Sequence, residues 1–196
     1  MIDFSPLLRR EVQAIDFARR LTLNDLRAIT NESIDTMLDI IAELGDADVT
    51  FIPHDPDAYD PHAPEEEQHI GWNLAHIIAH VTSGSEEGAA LSSLLARGVP
   101  TAERPRYETP WQDITSQAQC VQRLEESRRM RLAYLDTWPD EPHLDVYRDV
   151  SPRYTERVGL VNAPAAFILG VFHEIGHFDQ MREVARQAVA ARRETR

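Results

Sequence analysis

An all-α four-helix bundle with a long crossover connection is the fold class this sequence predicts, and three observations predict it. Four segments, each over twenty residues, carry apolar residues at steps of three and four, the period of one helix face. Alternating runs of strand type are missing, and only 8 Gly occur in 196 residues. Three of the four segments are bounded by residues that start or stop helices. A chain of this length makes one ordinary domain with a single sizeable core. We divide it into an N-terminal extension, residues 1–21, and a bundle domain, residues 22–196.

The first segment runs from Leu23 to Leu44, with Leu26, Ile29, Ile34, Met37, Leu38 and Ile41 on its apolar side. Thr22 and Asp25 resemble a capping pair, and Gly45 is a natural stop. The second runs from Leu74 to Arg97, through Ile77, Ile78, Val81, Leu91 and Leu95, with Asn73 as N-cap and Gly98 at its end. Gly84 and Gly88 fall inside it, each costing roughly 1 kcal/mol relative to Ala. The third spans Asp113 to Leu135. The fourth spans Ala163 to Arg192, capped by Asn162, with Pro164 in its first turn where a missing N–H costs little. A short N-terminal helix is expected near Pro6 to Arg20, peripheral to the bundle. Two long connections remain, Gly45 to Gly71 and Pro139 to Val161. The first is acidic and Pro-rich and reads as a solvated crossover rather than a lid.

Charge and cysteine content narrow the function. A formal net charge of −13 argues against a nucleic-acid partner, which a basic face would attract, and against an anionic membrane surface. The 20 basic residues are all Arg, so no lysine serves as base or Schiff-base former. The one cysteine, Cys120, has no internal partner, and no continuous apolar stretch of signal or membrane-span length occurs. A cytoplasmic location with a small-molecule substrate is the expectation. Cys120 lies on the core side of its segment and reads as a buried thiol rather than a nucleophile.

Four of the eight histidines lie in the second and fourth segments: His76, His80, His173 and His177. His173 and His177 are four apart, which stacks them on one helix face about 6 Å from each other. His76 and His80 share the same spacing. Two histidines from one helix and one from a facing helix would place three imidazoles around a point. Three His with an open position is the donor set of a catalytic metal site, whereas a closed structural site uses four protein ligands. His80 lies a turn deeper than His76 and is assigned the metal. His76 is an alternative ligand, an outer-layer partner or a helix-start residue. Gln180 falls on the ligand face, where a hydrogen bond could orient His177. His54, His62, His69 and His143 lie in connections and are expected to be solvated.

The run from His173 to His177 also matches H-E-x-x-H, the zinc-peptidase helix, with Glu174 as its base. The extended form of that motif wants Gly at 180 and His at 183; Gln180 and Glu183 stand there. Glu174 is rotated about 100° from His173 on a helix, which puts it on a flank. A di-iron reading of Glu174 with His177 fails for want of a second Glu-x-x-His pair on a core helix.

The run Gly71-Trp72-Asn73-Leu74-Ala75-His76-Ile77-Ile78-Ala79-His80 resembles the DinB-like family of metalloenzymes, which often places a ligand His eight positions after a Trp that opens the second helix. The run from His173 to Met181 resembles its closing motif, two His four apart with Gln three beyond. The resemblance covers about the whole chain past Thr22. It implies a four-helix bundle, a three-His site for one divalent metal, zinc or nickel, and a homodimer. Some relatives look like S-transferases that use low-molecular-weight thiols. The family position occupied by His76 is often Glu, so a four-His arrangement stays open here. Under this resemblance the chain is a metal-dependent protein that transfers a thiol to small electrophiles. Arg153 and Arg157 are then candidates to hold the acidic groups of the thiol. The competing readings are a metal-dependent hydrolase using Glu174 and a non-catalytic metal-binding bundle.

Overall fold

The structure, a computed structural model, describes residues 2–61 and 63–194. It is all-helical, with no strand among the described residues. The bundle consists of α3 (Leu23–Ile41), α5 (Leu74–Ala96), α6 (Gln117–Asp136) and a fourth helix in two parts, α8 (Ala163–Gly176) and α9 (Phe178–Glu194). Around it lie short helices α1 (Ser5–Leu8), α2 (Ala14–Ala18), α4 (Asp46–Val49) and α7 (Pro152–Val158), with 3₁₀ turns at Glu65–Glu67 and Trp111–Asp113. Neighbours around the bundle are α3 with α6, α6 with α5, α5 with α8, and α8 with α3. Sequential helices α3 and α5 therefore sit on a diagonal, which is why their connection must be long. No single helix among the described residues is long and apolar enough to cross a membrane.

The caps follow the sequence closely. Thr22 Oγ1 accepts from the Asp25 N–H at 3.2 Å, and Asp25 Oδ2 accepts from the Thr22 N–H at 2.7 Å, a complete capping box. Asn73 Oδ1 accepts from the His76 N–H at 2.8 Å. Asn162 Oδ1 does the same for Ala165 at 3.3 Å. Three boundaries and one connection differ from expectation. Helix α3 stops at Ile41, and Gly45 caps α4 rather than ending α3. Helix α6 starts at Gln117 because Trp111–Asp113 is a separate 3₁₀ turn and Ser116 is the cap. The second long connection holds α7. The fourth helix is interrupted at His177, whose N–H bonds the Glu174 carbonyl at 3.0 Å, a tightened turn, before the α-pattern resumes from Met181 to His177 at 2.9 Å.

The N-terminal extension also departs from expectation. It forms two short helices, broken at Arg10, whose φ is 56°. Nor is it peripheral: Phe4, Leu7, Ala14 and Ala18 are buried in one core cluster with Leu26, Leu95 and Phe167. A second cluster gathers Ile34, Met37, Leu74, Ile78, Leu124 and Met181 toward the other end of the bundle. Buried polar side chains lie in the core beside these clusters: Thr30 and Ser33 of α3, Ser85 of α5, Ser127 and Arg131 of α6, and Glu174 of α8. Where α5 crosses α8, glycines face each other. A Cβ on Gly88 would lie 2.8 Å from the Ala166 carbonyl oxygen, and one on Gly170 would lie 3.0 Å from the Gly84 carbonyl oxygen. The backbones approach as closely as they do because these positions carry no side chain.

Candidate metal centre

The close α5–α8 crossing brings His80 of α5 against His173, at the end of α8, and His177, at the α8–α9 break. The His173 ring takes the space beside Gly84, where a Cβ would lie 3.0 Å from Nδ1. His80 Nε2 is 3.2 Å from His173 Nε2, and His177 Nε2 is 3.3 Å from the same atom. All three donor atoms lie within 4.8 Å of one another. A tetrahedral ion about 2.05 Å from each nitrogen would set neighbouring nitrogens about 3.3 Å apart, which the two His173 pairs match, so the group could hold a single metal ion.

The hydrogen-bond partners of the rings favour the same arrangement. Gln180 Oε1 lies 2.7 Å from His177 Nδ1. An amide oxygen only accepts, so Nδ1 carries the proton and Nε2 turns its lone pair toward the other rings. Glu108 Oε1 lies 3.6 Å from His80 Nδ1 and is the acceptor that favours a proton there. Arg106 Nη2 is 3.3 Å from the same nitrogen, but its firm acceptor is Glu108 Oε2 at 2.6 Å. Proximity to His80, then to Arg106, holds the Glu108 carboxyl down to about 2. Burial, then the neighbouring His177 and His80, pushes His173 down to about 4. Burial also lowers His177, against the Gln180 bond. Neutral imidazoles are the form that binds a metal.

The other expected site residues fall elsewhere. His76 does not join the trio: its ring stacks between Trp72, centroids 4.2 Å apart, and Trp111, at 4.9 Å and 8° from parallel. Trp72 also lies 4.7 Å from the His80 ring and 6.2 Å from that of His177, so it walls the centre. Glu174 is fully buried, with Arg131 Nη1 at 3.1 and 3.2 Å from its two oxygens and Ser33 and Ser85 donating to them. A peptidase base must reach the ion's water, and this carboxylate is committed to other partners; the H-E-x-x-H match is one of letters. Arg157 lines a cleft of 1470 Å³ that ends against His173, whereas Arg153 is exposed outside it. Cys120 is buried, and that burial lifts its thiol to about 12, an unreactive state. His54, His69 and His143 are exposed, and His62 lies outside the described residues.

Sequence reasoning missed Glu108 and Arg106, which sit in an irregular connection with no periodicity to aim them. It also missed Trp111 as the second slab around His76. Arg131 carried a signal that went unread: with Leu124, Ser127 and Leu135 it occupies the inward stripe of α6 at steps of three and four.

Fold and site together define a helical bundle whose core-facing histidines form a group that can hold one metal ion. A family model of the DinB superfamily matches residues 29–181, and the chain belongs to that superfamily. No curated protein and no solved structure matches it.

Proposed function

We propose that this protein is a metal-dependent enzyme in which His80, His173 and His177 hold one zinc or nickel ion, and that it joins a small thiol to an electrophile. The convergence of three imidazoles, two of their nitrogen pairs 3.2 and 3.3 Å apart and all within 4.8 Å, carries the metal half of this reading. An ion so held, with an open position, acts as a Lewis acid and lowers the pKa of a thiol or water that reaches it. Gln180 accepts the His177 Nδ1 proton and so orients that ring and raises the basicity of its facing nitrogen, and the Glu108 carboxylate, 3.6 Å from His80 Nδ1, favours the proton there. Trp72 shields one side from water. The transfer half rests on the family resemblance and on the burial of Glu174, which leaves no carboxylate placed as a peptidase base.

Native metal analysis after dialysis is the direct test. One equivalent of zinc or nickel per chain is expected, and His80→Ala, His173→Ala and His177→Ala should each abolish retention. Gln180→Ala should weaken the metal about 10- to 100-fold. His76→Ala should keep it. Added Ni²⁺ should quench Trp72 fluorescence in the wild type and not in His80→Ala. Full retention in His80→Ala would refute the ligand set. Cleavage of peptides by the metal-loaded protein, lost in a Glu174→Gln variant that stays folded and keeps its metal, would refute the transfer reading.

A further inference from the structure

The cleft that ends against His173 has walls from two parts of the chain that are distant in sequence. One is the N-terminal extension, through Leu7, Arg10 and Ala14; the other is α7 and the residues before it, through Arg148, Tyr154 and Arg157. Its floor is the close α5–α8 crossing at Gly84, Gly88 and Gly170. The extension lies outside the matched region, which begins at residue 29. It is nonetheless fixed: the Gln13 side chain fills the space beside Gly159, where φ is 83° and a Cβ would collide with it.

The charge of this cleft is unlike that of the chain. Five arginines line it in a protein of net charge −13: Arg10, Arg104, Arg106, Arg148 and Arg157. Arg104 is spent on Glu87, with bonds of 2.8 and 2.9 Å, and Arg106 on Glu108. The other three are not. Arg148 reaches the already paired Glu87 only at 3.7 Å, and its buried Nε has no hydrogen-bond partner. Arg157 has the Tyr154 ring, 5.5 Å away, and Arg10 has no ion pair among the described residues. Of the acids in the wall, Glu11 is held by Arg9 at 2.7 Å and Asp16 by Arg19 at 3.4 Å, which leaves Asp149 against three cations. Arg10 is also the one non-glycine residue with positive φ among the described residues. It is the stop of α1: the Arg10 N–H bonds the Leu7 carbonyl at 3.0 Å and the Glu11 N–H the Pro6 carbonyl at 2.9 Å, a turn that fixes where the Arg10 side chain leaves the backbone. Apolar side chains share the lining, among them Leu91, Val161, Leu169 and Phe172.

We propose that this cleft binds an organic anion with an apolar body, holds its carboxylate or phosphate end with Arg10, Arg148 and Arg157, and presents its other end to the three-histidine centre. The presentation step rests on the metal reading above; the anion site does not. The cleft, of 1470 Å³, runs from Arg10 and Arg157 to His173, so a ligand held at one end must be long enough to reach the other.

Two calorimetric series test this on the full chain. In the metal-free protein, octanoate and octyl phosphate are compared with octanamide. At least one anion should bind about tenfold or more tighter than the amide, since a charge-assisted hydrogen bond contributes that much. Arg10→Gln and Arg157→Gln, both at exposed positions, should each remove most of the difference. Which anion wins tells a carboxylate end from a phosphate end. Equal binding of all three, or anion preference unchanged in both variants, overturns the anion site. In the zinc-loaded protein, monohydroxamates of straight-chain dicarboxylic acids from succinate to suberate are compared with their terminal amides and with acetohydroxamate. The acid should gain at one spacer length, and the gain should vanish in Arg157→Gln while acetohydroxamate binding stays unchanged. No gain at any length overturns the presentation step. A protein that takes up no zinc fails the metal reading alone, and the first series still decides the cleft.

Discussion

His76 is the residue whose role the sequence leaves open and the structure describes. Its spacing from His80 makes it as eligible a ligand as its neighbour, because both lie on one face of α5. What decides against it is the pair of indoles. Trp72 precedes it by one turn and Trp111 arrives from a distant 3₁₀ turn, and between them they hold the ring flat and away from the trio. Sandwiched in this way it is half-buried, and burial depresses its pKa to about 4. His173 is held down to about 4 as well, and His177 is lowered. In the unfolded chain these histidines titrate near 6.5. The unfolded state therefore takes up protons between pH 6.5 and 4 that the folded state refuses. Stability of the metal-free protein is full above about pH 6.5 and falls as the pH drops toward 4. Glu108, held down to about 2, adds its own loss only below about pH 4.5. Urea midpoints between pH 7 and 4.5 should thus decline, and His76→Phe, which keeps the stack, should make the decline shallower. An identical slope in the variant would mean that His76 is not kept neutral by its surroundings.

At the scale of elements, the glycines of α5 change meaning once the partner helix is known. In sequence Gly84 and Gly88 are only weak points in a helix. In the bundle they are where α8 approaches, and their missing Cβ atoms let His80 and His173 meet. Gly88→Ala should destabilise the protein by about 1–3 kcal/mol, because the new methyl meets the Ala166 carbonyl at 2.8 Å and backbone cannot step aside cheaply. Gly176→Ala should do the reverse. Nothing lies within 4 Å of its Cβ position, so only helix propensity changes, a gain of up to about 1 kcal/mol. Thermal unfolding of the two variants gives opposite shifts if close approach is the reason for Gly88, and two stabilised proteins if it is not. Elements whose identity depends on local chemistry were legible: the Thr22–Asp25 box, the Asn73 and Asn162 caps and the period of four helices all follow from neighbours in sequence. What was not legible depends on distant partners. The break at His177 has no proline to announce it, and a left-handed Arg10 has no residue-type signature.

At the scale of the whole molecule, a polar group set into the core ties all four bundle helices together. Arg131 of α6 is completely buried and bonds Glu174 of α8 and the Thr30 carbonyl of α3, while Ser33 of α3 and Ser85 of α5 complete the carboxylate's shell. A bundle built from leucine and isoleucine alone can slide along its axes at little cost; one with a single charged pair on four inward stripes has one register that satisfies it. Register matters here because Glu174 follows His173 directly, so the pair that fixes the height of α8 also fixes the height of two of the three imidazoles. Removing one partner leaves a buried charge with no counter-ion, which costs about 3–5 kcal/mol, whereas removing both is often nearly neutral. Arg131→Met should therefore lower stability by roughly that amount, and Arg131→Met with Glu174→Gln should recover most of it, the Gln amide oxygen accepting from one of the Ser33 and Ser85 hydroxyls and its NH2 donating to the other. Chemical denaturation measures both. The double variant then separates register from stability: it should remain folded yet bind metal more weakly than the wild type, because the α8 position is no longer unique. If it binds metal as tightly as the wild type, apolar packing and the α5–α8 glycines set the register by themselves, and the ion pair holds the core without placing the histidines.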